Sequence, residues 1–527
     1  MKTTLKFLLF LLPLLGFGQE TQTRFTKKSP LTEQELKRWS HLDLEKDTIP
    51  GMSVDKAYEE LLKNKKGNKI IVAVIDSGVD IDHPDLKGAI WTNPKEIPNN
   101  KKDDDKNGYV DDVHGWNFLG DSYNETLEMT RILKKGDDGS EVYKKALAEH
   151  TKEYNKMMSY KESIDFLYNA DKTIREHLKK DDYTIEELKE VASVKYALYQ
   201  SKTVMLAFAA DAGKNFREEL ISSKNQVYDK LNYNLNKDFD GRKIVGDNPD
   251  VLDNKKYGNN KVYGLNKAET EHGTHVAGII AQKRNNGIGG DGVTENVQIM
   301  AIRAVPNGDE YDKDIALAIR YAVDNGAKII NGSFGKDFSP HAEWVWDAIK
   351  YAESKDVLFV HAAGNDGKDI DLEENFPSDT KDKNTEIVAN FLQIGALNYS
   401  YGEKIIADFS NYGSKNVDIY APGVKIYATL PNNKFKHLDG TSMASPNAAG
   451  VAALIRSYYP NLKASQIKEI IMQSGTPIDM MVKVGENGES RKFSQASVSG
   501  KIVNAYNALK MAEQISSQST IKPKIKS

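Results

Sequence analysis

The sequence predicts an α/β fold: a mostly parallel central sheet flanked by helices, plus a helical insertion between Asp76 and His272. Three observations carry this expectation. A continuous β-branched run, Ile70-Ile71-Val72-Ala73-Val74-Ile75, ends in Asp76-Ser77-Gly78 and reads as a strand buried on both faces. Beyond Ala281, short apolar runs alternate with helical patterns, as in parallel strands joined by crossover helices. Between these regions, residues 120–236 place apolar side chains at threes, fours and sevens, the period of a helix.

Composition bounds the rest. The 527 residues are 39% hydrophobic and 28% charged, so the chain is globular rather than disordered. A formal net charge of −4 offers no basic excess for nucleic acid. Residues 1–18 read as a Sec-type signal peptide. Lys2 and Lys6 precede an apolar run from Phe7 to Leu15, and Gly16-Phe17-Gly18 suits cleavage before Gln19. That run is too short to span a bilayer and nothing later is long enough, so no membrane partner is expected. The protein is expected to be secreted, extracellular or periplasmic. Without cysteine its stability must come from core burial and bound metal.

In chain order, residues 19–50 are polar and read as a short pro-segment or an arm on the body. The first part of the main domain, 51–119, opens with Val54, Ala57, Tyr58, Leu61 and Leu62 at helical spacing. Asp76 then stands at the carboxyl end of a buried strand, where open α/β sheets bind ligands. Asp-Ser-Gly also suits an aspartic protease, but no second such carboxylate follows between strands.

The run Asp103-Asp104-Asp105-Lys106-Asn107-Gly108-Tyr109-Val110-Asp111-Asp112 follows the first half of a calcium loop. Oxygen ligands recur at alternate positions, and glycine takes the sixth place for the sharp turn. His114 stands where an EF-hand needs glutamate, so the expectation is a stand-alone loop using Asp103, Asp105, Asn107, Tyr109, Asp111 and Asp112. In the insertion, 120–236, Thr184-Ile185-Glu186-Glu187 is a capping box that opens one of about three helices.

The second part of the domain, 237–512, carries His272 at the start of a small-residue helix, with His275 three residues on. A zinc site would need H-E-x-x-H, and the glutamate is missing. Strands are expected at 297–305, 327–333, 357–363, 391–397 and 417–420, and helices at 312–325, 340–354, 443–458 and 464–473. Ser442 falls between a small-residue turn and a helix, where free backbone amides favour developing negative charge. Residues 513–527, with Lys522, Lys524 and Lys526, are expected to form a disordered basic tail.

Asp76, His272 and Ser442 thus each follow a strand or open a helix, in the chain order acid, base, nucleophile. An α/β-hydrolase runs serine first and needs glycine where Ala444 stands. Three blocks resemble the active-site segments of the subtilases, the subtilisin-like serine peptidases. They are Val74-Ile75-Asp76-Ser77-Gly78-Val79, His272-Gly273-Thr274-His275-Val276-Ala277-Gly278 and Gly440-Thr441-Ser442-Met443-Ala444-Ser445-Pro446. The resemblance covers roughly 54–119 and 262–512.

The resemblance implies a subtilisin-like three-layer fold and an exported, monomeric serine endopeptidase acting on proteins or peptides. It makes Ser442 the nucleophile, His272 its general base and acid, and Asp76 the group that orients His272. Val360-His361-Ala362-Ala363-Gly364-Asn365 is similar to the block with the oxyanion-hole asparagine, here Asn365. Asn331-Gly332-Ser333-Phe334-Gly335 is similar to the strand that pairs with substrate. Ser333, Phe334, Gly335 and Gly364 are therefore implied to bind substrate, with a broad apolar preference. Asp85 and Asn286 resemble part of a calcium site, and structural calcium is the implied cofactor. The rival reading is a catalytically weak scaffold whose helical insertion serves binding.

Overall fold

Along the strand Ile70–Asp76 (β1), alternate side chains enter two different cores. Ile70, Val72 and Val74 belong to one apolar cluster, whereas Ala73 and Ile75 belong to another. A period of two with both faces dry is what a central strand between two helical layers requires. Glu271–Ala281 and Thr441–Tyr458 are helices of the first layer, and Asp312–Asp324 and Ala342–Ser354 of the second. The computed structural model describes residues 25, 27, 29–192, 195–253 and 256–520. The expected signal peptide at 1–18 lies outside them.

The other strands are Gly115–Asn117 (β2), Val297–Arg303 (β3), Ile329–Gly332 (β4), Leu358–Ala362 (β5), Phe391–Leu397 (β6) and Ile419–Pro422 (β7). Two hairpin strands follow, Ile426–Leu430 (β8) and Lys434–Leu438 (β9). The last are Thr476–Pro477 (β10), Met481–Val484 (β11), Glu489–Lys492 (β12) and Lys501–Ile502 (β13). The nine-stranded sheet runs β10-β13-β7-β6-β5-β4-β1-β3-β2, and its pairs are parallel except β10 with β13. β1 sits between β3 and β4, so successive connections leave it toward opposite edges. That reversal opens a crevice at the carboxyl ends of the strands.

The hairpins β8–β9 and β11–β12 were not expected from the sequence. β3 stops at Arg303 rather than 305, because the Ala304 and Val305 amides turn to the Asp76 carbonyl at 3.0 and 3.2 Å. The closing helix runs Ala505–Thr520, past the boundary expected at Ala512 and into the stretch expected to be disordered. Ala512 is buried and Ile515 packs on the same core, so apolar contact carries the helix on. Residues 521–527 of that tail lie outside the described residues.

Of the 19–50 segment, Trp39 is buried in the first core and donates from its indole nitrogen to the Val424 carbonyl at 2.9 Å. A second compact unit comprises Ser122–Ile244 with Pro306–Asp309. It is built on the helices Glu128–Lys135, Glu141–Leu178, Ile185–Glu190, Tyr196–Ala212 and Phe216–Asp229. Ile174, Leu188, Met205, Phe216 and Leu220 form its own core. The unit extends beyond the expected 236, because the Ser122 hydroxyl holds the Gly241 carbonyl at 3.2 Å. Among the described residues no helix is long and apolar enough to cross a membrane.

Candidate active site

Asp76 ends β1 and is 1% exposed. Its Oδ1 accepts the Ser77 amide at 2.6 Å and lies 2.7 Å from His272 Nδ1, while the buried Oδ2 has no hydrogen-bond partner among the described residues. Gly273 permits this approach. A Cβ there would stand 2.1 Å from the Gly78 carbonyl oxygen and 3.1 Å from Asp76, so any side chain would push the helix off the turn. Burial draws the His272 pKa down, but the Asp76 charge and hydrogen bond outweigh it, and the net shift is upward. The second ring nitrogen, Nε2, has no partner among the described residues.

Ser442 is the second residue of Thr441–Tyr458. Its hydroxyl donates to the Ser333 carbonyl at 3.4 Å, not to His272. Pro446, four residues on, has no N–H to give the Ser442 carbonyl. The Ser333 hydroxyl donates there instead, at 2.9 Å. Behind it the buried Asn331 amide donates to Ser333 Oγ at 2.9 Å and accepts from Ser445 Oγ at 2.8 Å.

Asn365 follows β5. Its Oδ1 accepts both the Thr441 amide, at 2.8 Å, and the Thr441 hydroxyl, at 2.9 Å. That fixes which way the carboxamide faces and leaves Nδ2 to donate elsewhere. Gly440, at φ 149°, has room where a side chain would be. The Cβ position lies 3.5 Å from Ser442 N and 3.7 Å from Asn365 Nδ2, so two donors flank one small space. Such a space suits an oxyanion.

The proposed substrate wall divides. The Ser333 side chain faces Ser442, so only its backbone is left for a substrate. Phe334 is 8% exposed. Gly335 and Gly364 both face the Asn375 carboxamide, whose Oδ1 is 3.8 and 3.2 Å from their absent Cβ positions. Asn375 escaped the sequence reading because it sits in a loop without a recognisable pattern.

The calcium-loop residues separate similarly. Carboxylate oxygens of Asp105, Asp112 and Glu96 lie within 4.8 Å of one another. Glu96 comes from an earlier turn that the loop pattern does not cover. Its Oε2 is buried without a partner among the described residues, and burial pushes the Asp112 pKa up to about 6. Asn107 donates to Asp112 at 3.0 Å. Asp103 and Asp111 stand outside this group and close turns. Asp103 takes the Asn107 and Gly108 amides, and Asp111 those of Asn100 and Lys101. The Tyr109 ring packs on Trp116 and Tyr321. Elsewhere, Asn286 donates to Asp85, whose other oxygen is buried with no partner among the described residues and whose pKa burial raises to about 6. Both clusters offer only oxygen ligands and have an orphaned carboxylate oxygen, which fits a hard cation such as calcium.

A sequence profile described as the subtilase family matches residues 67–495. The chain is 38% identical over 239 residues to a thermophilic serine proteinase of Bacillus sp. (strain AK1), covering 45% of this chain and 52% of that protein. It is 37% identical over 223 residues to a cell wall-associated protease of Bacillus subtilis (strain 168), covering 42% of this chain and 23% of that protein. Subtilisin DY of Bacillus licheniformis is 36% identical over 207 residues, 39% of this chain and 70% of that protein. The chain thus spans about half the length of the first of these relatives and less of the second.

Proposed function

The chain belongs to the subtilase family, and from that premise we propose that it is an exported serine endopeptidase that hydrolyses proteins through an acyl-enzyme on Ser442. The observation that carries this reading is the 2.7 Å contact of His272 with buried Asp76, made by an imidazole whose other nitrogen is free to work. Export is supported by the signal pattern at 1–18 and by a relative named as cell wall-associated.

The chemistry follows from the groups present. Ser442 Oγ turns about its Cα–Cβ bond from the Ser333 carbonyl toward His272. Catalytic hydrogen bonds of this kind tighten once substrate is bound. Oγ attacks the scissile carbonyl carbon as its proton passes to His272 Nε2. The oxyanion takes hydrogen bonds from Asn365 Nδ2 and Ser442 N. As the C–N bond breaks, His272 returns the proton to the leaving amine. Water then attacks the ester, again giving a proton to His272, and the acid departs as Ser442 regains its hydrogen. Asp76 keeps its contact with His272 Nδ1 throughout. It fixes the Nδ1–H tautomer and stabilises the imidazolium.

The backbone of Ser333-Phe334-Gly335, with Gly364, is read as the wall against which substrate lies. Phe334 supplies an apolar face, and Asn375 adds a neutral polar group beside the two glycines. Glu96, Asp105 and Asp112 would hold one calcium ion, and Asp85 with Asn286 would help hold another. Calcium there supplies charge balance and cross-linking of loops, not a step of the reaction.

The test is labelling of the processed protein by a fluorophosphonate, with Ser442→Ala as control, alongside hydrolysis of a denatured protein. Labelling and hydrolysis that both vanish in the control support the reading. Hydrolysis that survives Ser442→Ala sinks it.

A further inference from the structure

The turn that follows β1 is held from behind by a side chain that these steps do not use. Arg303 ends β3, in register with Asp76, and is 1% exposed. Its Nε donates to the Ser77 carbonyl at 3.1 Å. Its Nη1 reaches the end of β2, donating to Asn117 Oδ1 at 3.1 Å and to the Gly120 carbonyl at 3.3 Å. Those two oxygens have other donors, the Leu119 amide at 3.0 Å and Asn117 Nδ2 at 2.7 Å. The Ser77 carbonyl has Arg303 alone among the described residues. The side chain also packs directly on the turn. A Cβ on Gly78, at φ 105°, would stand 3.1 Å from Arg303 Cδ.

Ser77 touches both halves of the Asp76–His272 contact. Its amide donates to Asp76 Oδ1 at 2.6 Å, and its hydroxyl accepts the amide of Gly273, the residue after His272, at 3.2 Å. On one side of Ser77 the peptide is fixed by backbone alone, since the Asp76 carbonyl accepts the Ala304 and Val305 amides. On the other side the peptide lies past the last paired residues of β1 and β3, and the Arg303 side chain holds it. Ser77 is thus clamped at both peptides, which places its hydroxyl, and the Gly78 carbonyl beyond it, against Gly273. Burying a guanidinium merely to fill space gains little, because an apolar residue of like volume is often as stable. What the guanidinium adds is a rigid fork of N–H donors that ties one peptide to a neighbouring strand.

We propose that Arg303 is a positioning residue for the Asp76–His272 pair, acting through Ser77 to keep the carboxylate and the imidazole in register. This rests on the reading of Asp76, His272 and Ser442 as the catalytic groups. Without the Arg303 donor the peptide after Ser77 can turn, the helix that opens with Glu271 and His272 loses its fixed seat, and the imidazole is aimed less closely at Ser442.

The experiment measures steady-state kinetics on one peptide anilide for wild type, Arg303→Met and Arg303→Lys, per amount of folded protein. Each substitution is then repeated in an Asp76→Ala background. Arg303→Met keeps an unbranched apolar stem but has no donor. Its kcat should fall about 10–100-fold, the scale of a displacement of about 1 Å or less, with KM little changed. Arg303→Lys keeps one donor for the Ser77 carbonyl and should recover part of that loss. It decides the matter if the methionine variant does not fold. With Asp76→Ala the carboxylate to be positioned is gone, so either substitution should then cost about twofold or less, the scatter of such cycles. An unchanged kcat in a folded variant, a loss carried by KM, or a loss that persists undiminished without the Asp76 carboxylate overturns the proposal. Failure of wild type to react with a fluorophosphonate would instead overturn the peptidase reading beneath it, before any variant is compared.

Discussion

The Ser333 hydroxyl donates to the Ser442 carbonyl at 2.9 Å, filling the place that Pro446 leaves without a donor. A proline inside a helix ordinarily costs about 3 kcal/mol through the lost bond and the clash with the carbonyl one turn back. Here the freed carbonyl belongs to the candidate nucleophile, and it is tied to the end of β4. The helix that presents Ser442 and the strand that leads to the substrate wall are thus joined by one hydroxyl, with Asn331 and Ser445 behind it.

Ser333→Ala should therefore do more than trim a wall. It strands a carbonyl, at a cost of about 1–3 kcal/mol, and frees Ser442 to shift, so kcat should fall while KM changes little. Asn331→Ala and Ser445→Ala break one bond in common. Their double variant should lose less stability than the sum of the single variants. Melting curves of fluorophosphonate-blocked protein, with steady-state kinetics of the unblocked form, read both effects.

Asp76→Asn tests the pair at the centre of the site. Charged His272 cannot accept the Ser442 proton, so activity rises with pH through the His272 pKa, which Asp76 holds above the ordinary value of 6.5. The asparagine variant should lose about 10⁴-fold in kcat, because its amide favours the wrong tautomer. Its remaining activity should rise at lower pH than in wild type. The sign for stability is opposite. A raised pKa contributes stability below about pH 6.5 and loses it as pH climbs through the folded value, so the Tm gap between the two proteins should narrow toward alkaline pH. A gap that widens instead would contradict the assignment.

Asn365→Ala removes one of the two donors beside Gly440. The expected loss is about 10²–10³-fold in kcat, the range found for such a donor in subtilisin, with KM little changed. Thr441→Val keeps the amide bond to Asn365 Oδ1 but deletes the hydroxyl bond. It should produce a smaller loss of the same kind, because the carboxamide is then held by one contact. If Thr441→Val raised KM alone, the hydroxyl would be reading substrate rather than orienting Asn365.

The parts legible in the sequence were those with a short-range signature. β1 announced itself by its β-branched run and begins at Ile70 as expected, and the helix of Ser442 announced itself by its small residues and begins at Thr441, two residues before the expected 443. The hairpin β8–β9 gave no such sign, since β9 is half-exposed and mixes Lys434, Lys436 and His437 with Phe435. Long-range partners were equally hidden. Asn375 reaches Gly335 and Gly364, and Glu96 reaches Asp105 and Asp112, only because loops fold back. Spacing alone also does not show which carboxylates gather, as Glu96, Asp105 and Asp112 do, and which, like Asp111, lie apart and close a turn on backbone amides.

Glu96 provides the sharpest test of the metal reading, because its effect should change sign. With chelator present, Glu96, Asp105 and Asp112 are close carboxylates whose mutual repulsion opposes folding. Glu96→Gln relieves part of that repulsion, so the variant should melt at or above wild type. With calcium present, wild type gains RT ln(1 + [L]/Kd), about 2.7 kcal/mol at a hundredfold excess over Kd, which is some degrees of Tm for a chain of this size. The variant, one charge short, gains less and should melt below wild type. Asp85→Asn should reduce the calcium response separately, since Asp85 and Asn286 form a different cluster. An order of melting that stays the same in chelator and in calcium would mean that Glu96 holds no cation and serves only to cap the Asp104 and Asp105 amides.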